Sequence, residues 1–180
     1  MAQHSRGHGP DHYRPAVLRE LRKAHHQVAQ TLFRDSGLAC HLLGIETEQT
    51  LSRSPFPGPL FEGFVASEIA KQQLGAGRPR ELYYFRDQQG LEVDLLVPSG
   101  HRGLMLIEAK ASRTATPAMA GSMSRLAQAI REFRVQRFVV HRPTREVRHL
   151  SVLGPDFKAV ALDGLLGILP GSRAAHSNRR

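Results

Sequence analysis

Hydrophobic and polar positions change their period several times along the chain, and each change marks an element. Between Pro15 and about Phe33, Val17, Leu18, Leu21, Val28 and Leu32 recur at helical spacing, while Arg14, Arg19, Arg22 and Lys23 fall off that face. This predicts a basic helix with a thin apolar side. Asp35 or Ser36 is placed to cap a short helix that packs through Leu38, Leu42 and Leu43, with Gly44 ending it. The proline-rich link SRSPFPGP then leads into the strongest helical pattern of the chain. There Pro59 suits the first turn, Gly75 or Gly77 the stop, and Leu60, Phe61, Phe64, Val65, Ile69 and Leu74 form the apolar stripe. Glu62 interrupts that stripe. Its neighbours three, four and seven residues on are Val65, Ala66 and Ile69, so its carboxylate faces inward, whereas Glu68, beside Lys71 and Gln72, reads as a surface acid.

The period next shortens to two. ELYYFR predicts a strand, DQQG a turn, and the run from Glu92 to Lys110 a hairpin of LEVDLLV and LMLIEAK joined at PSGHRG. Pairing these strands brings Asp94 beside Glu108 and Lys110. Side chains alternate along a strand, so Glu108 and Lys110 share one face and Ala109 takes the other. Leu104, Met105, Leu106 and Ile107 are apolar on both faces, the signature of a strand covered on both sides. A carboxylate and an ammonium at the end of such a strand are costly unless they pair, meet water or bind a cation. Arg86 and Asp87, just before the hairpin, pair either with each other or with the site, and the turn-stabilising pair is the favoured reading.

Further on, Thr116 and Pro117 open a second helix with Met119, Met123, Leu126, Ile130 and Phe133 as its seam and Arg125, Arg131 and Arg134 off it. RFVVHR and VRHLSVL predict two more strands joined through PTRE, and DGLLGIL a terminal apolar turn or short helix. The order helix, strand, strand, strand, helix, strand, with an additional strand following, describes an α/β layer with helices packed on a mixed sheet.

Composition narrows the partners more than the fold. The 180 residues, 41% of them hydrophobic, suit one domain between ragged ends, with residues 1–14 and 171–180 as disordered tails and residues 15–33 as the basic helical segment. Runs such as LMLI are far too short to span a membrane, and the first residues carry no apolar run of a signal peptide, so a cytoplasmic location is expected. The single cysteine, Cys40, excludes an internal disulfide and a thiolate metal site and is expected to be a small core residue. His4, His8 and His12 recur every fourth position, but Gly7, Gly9 and Pro10 break the helix that would align them. His101, His141 and His149 lack the close pairing of a zinc site. Against 16 Asp and Glu stand 25 Lys and Arg, a net charge of +9, which makes a polyanion the natural partner and nucleic acid the leading one. Arg113, Arg125, Arg131, Arg137 and Arg142 are the candidate phosphate contacts. A solvated basic surface, or tails such as Asn178-Arg179-Arg180, would account for the same charge.

The combined motifs carry a resemblance. Glu62 on the first helix of the core, Asp94 on the second strand and Glu108-Ala109-Lys110 on the third resemble the PD-(D/E)XK nuclease superfamily. More narrowly, DSGLACHLLG, PLFEGFVASEI, LYYFRDQQGLEVDLLV and LIEAK look like the C-terminal domain of prokaryotic AAA-type ATPases, which carries a domain-of-unknown-function label. The resemblance spans roughly residues 31 to 170, about the extent of a nuclease-like domain over 34–170. It implies a restriction-endonuclease-like α-β-β-β-α-β core. It implies too that Asp94, Glu108 and the Ala109 carbonyl hold Mg²⁺ or Mn²⁺, that Lys110 orients water or stabilises phosphate charge, and that Glu62 completes the site. Two departures stand out. Val93 occupies the place of the proline before Asp94, and no GxxxxGK[ST] sequence occurs, so this chain has no ATP site of that kind.

Hard oxygen donors suit Mg²⁺ or Mn²⁺ independently of the resemblance. The expectation is therefore a metal-dependent phosphodiesterase acting on DNA, with RNA second. Its alternatives are a module that binds nucleic acid without cutting, and an interaction domain that packs on an ATPase module or on a second copy of itself.

Overall fold

The computed structural model describes residues 35–142, 151–154 and 157–172. The expected tail over 1–14, the basic helix over 15–33, the PTRE link, His149 and the Asn178–Arg180 end lie outside the described residues. Helix α1, Ser36–Leu42, begins where an acidic cap predicts it: Asp35 Oδ1 accepts from the N–H groups of Gly37 and Leu38 at 2.8 and 3.0 Å. Gly44, at φ 67°, follows its end. Its packing is the reverse of the expectation. Ala39 is buried against Ile45 and Leu60, with half-buried Cys40 beside them, while Leu38, Leu42 and Leu43 are exposed. A helix of seven residues offers one narrow face, and here the small residue takes it.

Helix α2, Glu48–Arg53, has no counterpart in the sequence reading. It buries none of its residues and so leaves no apolar period, although Thr47 caps it through the N–H of Thr50 at 3.0 Å. Helix α3, Pro57–Gly75, starts at Pro57 and carries Pro59 in its first turn, as expected. It stops through Gly77 at φ 69°, whose N–H reaches Leu74 O while that of Arg78 reaches Gln73 O, the Schellman arrangement. Its buried side is Leu60, Gly63, Val65, Ala66, Ile69 and Gln73. Phe64 and Leu74, counted in the stripe, are exposed instead. Val65, Ala66 and Ile69 meet the sheet, and the large side chains of Phe64 and Leu74 fall on the exposed sides of the helix.

Strands β1 (Tyr83–Arg86), β2 (Glu92–Pro98), β3 (Gly103–Lys110), β4 (Arg134–His141), β5 (Ser151–Gly154) and β6 (Phe157–Val160) form one mixed sheet in the order β1-β2-β3-β4-β6-β5. The first three are antiparallel; β3–β4 and β4–β6 are parallel, and β5–β6 is antiparallel. The expected hairpin forms, with Leu95 opposite Ile107. A Pro117–Ala120 3-10 turn, without a side-chain cap from Thr116, leads into helix α4, Gly121–Ala129, and helix α5, Leu162–Ile168, closes the described chain. On one face Val65 and Ile69 of α3 and Leu165 of α5 cover Leu95, Val97, Met105, Ile107, Phe138 and Val140. On the other, Met123 and Leu126 of α4 cover Val93, Leu96, Leu104, Leu106 and Val139. The α/β class and the doubly covered β3 are thus as expected.

Three other expectations are corrected and one strand is added. β4 begins at Arg134 rather than Arg137. β6, which lies between β4 and β5, has no counterpart in the sequence reading; its four residues carry too short a pattern, and pairing with distant β4 makes them a strand. Arg86 lies 3.9 Å from Glu92 across the hairpin, and Asp87 instead closes the turn by accepting from Leu91 N–H at 2.7 Å. Ser172, assigned to the terminal tail, is buried and donates to Gly167 O at 2.6 Å. Among the described residues no helix is long and apolar enough to cross a membrane.

Candidate functional site

Asp94 owes its position to an irregularity in β2. Pairing with β1 passes from Tyr83 opposite Leu96 to Phe85 opposite Val93, two steps on one strand against three on the other, so the extra residue falls at Asp94–Leu95. The faces agree: Val93 and Leu96 pack on the α4 side, Leu95 and Val97 on the α3 side. Such a bulge bends a strand and re-aims its side chains. Asp94 Oδ2 accepts the N–H of Ala109 at 2.8 Å, which holds the carboxylate against β3. The Ala109 side chain itself lies in the core beneath α3.

Glu108 is 8% exposed. Its Oε1 accepts from Lys110 Nζ at 2.6 Å, and the same ammonium stands 3.9 Å from Asp94 Oδ2. Among the described residues its Oε2 is buried with no hydrogen-bond partner. An unsatisfied buried acceptor costs about 1–3 kcal/mol, so this oxygen is a place where the fold gives up stability. Burial, then the Asp94 charge, push the Glu108 carboxyl from 4.5 up to about 7 against the opposing pull of Lys110. Burial also raises Asp94, against the Ala109 N–H and Lys110. Glu62, from α3, is raised by burial and then by Asp94. For Lys110 burial works downward, but the hydrogen bond to Glu108 and the surrounding carboxylates outweigh it and raise the ammonium.

The structure therefore brings Glu62, Asp94, Glu108 and Lys110 into one field at the end of β3. It adds two residues that sequence reasoning missed. Glu92 raises both Asp94 and Glu62 by its charge. Tyr84, on β1, has its hydroxyl pushed up by burial and then by Glu92. Glu92 stands two residues before Asp94, a spacing that alternation alone could have flagged; nothing in the sequence distinguishes Tyr84 from Tyr83. Among the described residues no group of three or more His, Cys, Asp or Glu is disposed to hold a metal ion. The donors that fit a hard cation are the oxygens of Asp94 and Glu108, foremost the unpaired Oε2. Glu62 contributes through its charge.

The arginines separate into three groups. Arg113 and Arg142 come to the Lys110 end of the sheet, where Lys110 is opposite His141 in the parallel register. His141 Nδ1 is 3.2 Å from Arg113 O, and Arg142 N–H donates to Ser112 O at 3.0 Å. Arg125 is exposed on α4, and Arg131 precedes Arg134, which faces Gly103 at the opposite end of the strands, about 20 Å from Lys110 at a strand's rise. Arg137 donates to Ser124 Oγ at 2.7 Å and lies over the Phe157 ring, so it ties α4 and β6 to β4.

The uncharacterized proteins Rv2008c of Mycobacterium tuberculosis and Mb2031c of Mycobacterium bovis are each 39% identical to this chain over 90 residues. The match takes in 50% of this chain and 19% of each relative, so the chain spans about a fifth of the length of the curated relatives it matches. No solved structure matches. The family model described as Domain of unknown function (DUF4143) matches residues 57–153, over half of the chain and inclusive of Glu62, Asp94, Glu108 and Lys110, and the chain belongs to that family.

Proposed function

We propose that this is a PD-(D/E)XK-type nuclease domain that hydrolyses phosphodiester bonds in DNA, with Mg²⁺ or Mn²⁺ at Asp94 and Glu108 and with Lys110 assisting. The observation that carries the reading is the Glu108 carboxylate, buried, with one oxygen that has no hydrogen-bond partner among the described residues, and pushed up to about 7 by burial and then by the Asp94 charge. Two carboxylates that destabilise their own site in this way gain most from a hard cation. A divalent ion, when bound, lowers the pKa of water and neutralises charge growing on a phosphoryl group.

The chain's own groups have distinct tasks in this scheme. Asp94 is pre-oriented by the Ala109 N–H. Lys110, already adjacent to both carboxylates, supplies a positive charge for a phosphate oxygen. The raised Glu108 carboxyl favours its protonated form in the metal-free site, a proton that a bound cation would displace. Glu62 deepens the negative field. The order α3-β1-β2-β3-α4-β4 and the net charge of +9 support the same reading. A second reading, a nucleic-acid-binding module that does not cut, is favoured by Lys110, whose single charge pairs with Glu108 and lies near Asp94, offsetting part of their charge without any metal.

Calorimetric titration with Mn²⁺, together with a DNA cleavage assay, separates the two. The parent should bind the ion and cut. Asp94→Asn should lose both, because an amide is a poor ligand for a hard cation. Lys110→Ala should keep the metal and lose roughly two to four orders of magnitude in turnover, with Glu62→Gln between them. Cleavage indifferent to Asp94→Asn would sink the assigned site. A parent that binds DNA but neither Mn²⁺ nor cuts would establish the second reading.

A further inference from the structure

We infer that Arg142, with Arg113 and His141, forms a phosphate subsite beside Lys110 for the nucleic-acid backbone, and that Glu48 fills it as a carboxylate stand-in until a phosphate displaces it. The inference rests on nucleic acid being the ligand, as proposed above, and not on cleavage. β3 and β4 run parallel and finish together, with Lys110 opposite His141. Adjacent strands lie roughly 4.8 Å apart, so groups at these two ends face one approaching strand of phosphates. The Arg142 N–H on Ser112 O and the His141 ring on Arg113 O pin the segment leaving β3 to the end of β4. The backbones of Arg113 and Arg142 and the His141 ring are thereby fixed at the end of the sheet where Lys110 closes β3, at the carboxyl ends of parallel strands where open α/β sheets take their ligands.

Arg142 is engaged on Glu48 Oε1 at 2.9 Å. A guanidinium grips a carboxylate and a phosphate with the same fork, so Glu48 occupies the position a phosphate oxygen would take. Side-chain exposures of 39% for Arg142 and 72% for Glu48 make this a weak pair, readily exchanged for a ligand that carries more negative charge. Helix α2, which delivers Glu48, rests half-buried Leu51 on Ala39, Ile45 and Leu60, while Glu48 itself stays exposed.

Fluorescence anisotropy of a labelled oligonucleotide with the full chain, in EDTA at low salt, tests this with neither metal nor turnover involved. Glu48→Gln should tighten binding roughly two- to fivefold, which is what release of an exposed ion pair is worth. Arg142→Ala should weaken binding and lower the slope of log K against log salt by about one, the signature of one lost phosphate contact. In the Arg142→Ala background Glu48→Gln should have no effect. Arg142→Lys, which keeps the charge and loses the fork, should fall between parent and alanine and guards against a misfolded alanine variant. A parent that binds while Glu48→Gln and Arg142→Ala match it would overturn the subsite and leave the nucleic-acid reading standing. A parent that binds no oligonucleotide would overturn both.

Discussion

At Glu108 the requirements of folding and of chemistry conflict, and pH exposes the conflict. Burial and then the Asp94 charge push its carboxyl up to about 7 in the folded chain from an ordinary 4.5. Between those values the native state holds a proton that the unfolded chain has released, so stability falls as pH rises through this window and is fully reduced above about 7. The difference corresponds to roughly 3 kcal/mol. Asp94 and Glu62, also raised, act with the same sign. The raised Lys110 contributes stability that is present below its ordinary 10.5 and lost only in stronger alkali, outside this window. Glu108→Gln should therefore flatten the decline in urea-unfolding free energy between pH 5 and 8 and make the variant the more stable of the two at pH 8. An unchanged slope would mean that the Glu108 carboxyl is not held above its ordinary value.

Helix α3 shows how an element can be found correctly and its packing misassigned. Pro57 and Gly77 set its ends by local backbone chemistry, which the sequence exposes. Its apolar residues surround the helix, however, and periodicity alone does not say which side meets the sheet. Ile69 is 0% exposed and Leu74 60%. Ile69→Ala should cost about 2–5 kcal/mol through lost burial and a cavity, and Leu74→Ala no more than about 0.5 kcal/mol, as measured by chemical denaturation. Equal losses would contradict the assigned face. Leu38, Leu42 and Leu43 of α1 belong to the same lesson: a cap was legible in Asp35, but the burial of Ala39 was not.

For the whole molecule, if nucleic acid is the ligand as proposed, the excess of 25 basic over 16 acidic residues makes counterion release the expected driving term. The logarithm of the DNA association constant should fall linearly with log salt, with several phosphates' worth of slope; an affinity independent of salt would exclude the phosphate backbone as the main contact. The alternation of Glu108 and Lys110 and the hairpin follow from period and spacing because each depends on neighbours within one element or one turn, and the α/β class follows from the order of such elements; Glu62, read as facing inward, is half-buried. The bulge that re-aims Asp94, the entry of Glu92 and Tyr84 into the field, the insertion of β6 beside β4 and the capture of Arg142 by Glu48 depend on residues far apart in the chain. Strand pairing and desolvation decide them, and those forces act only once distant segments have been brought together.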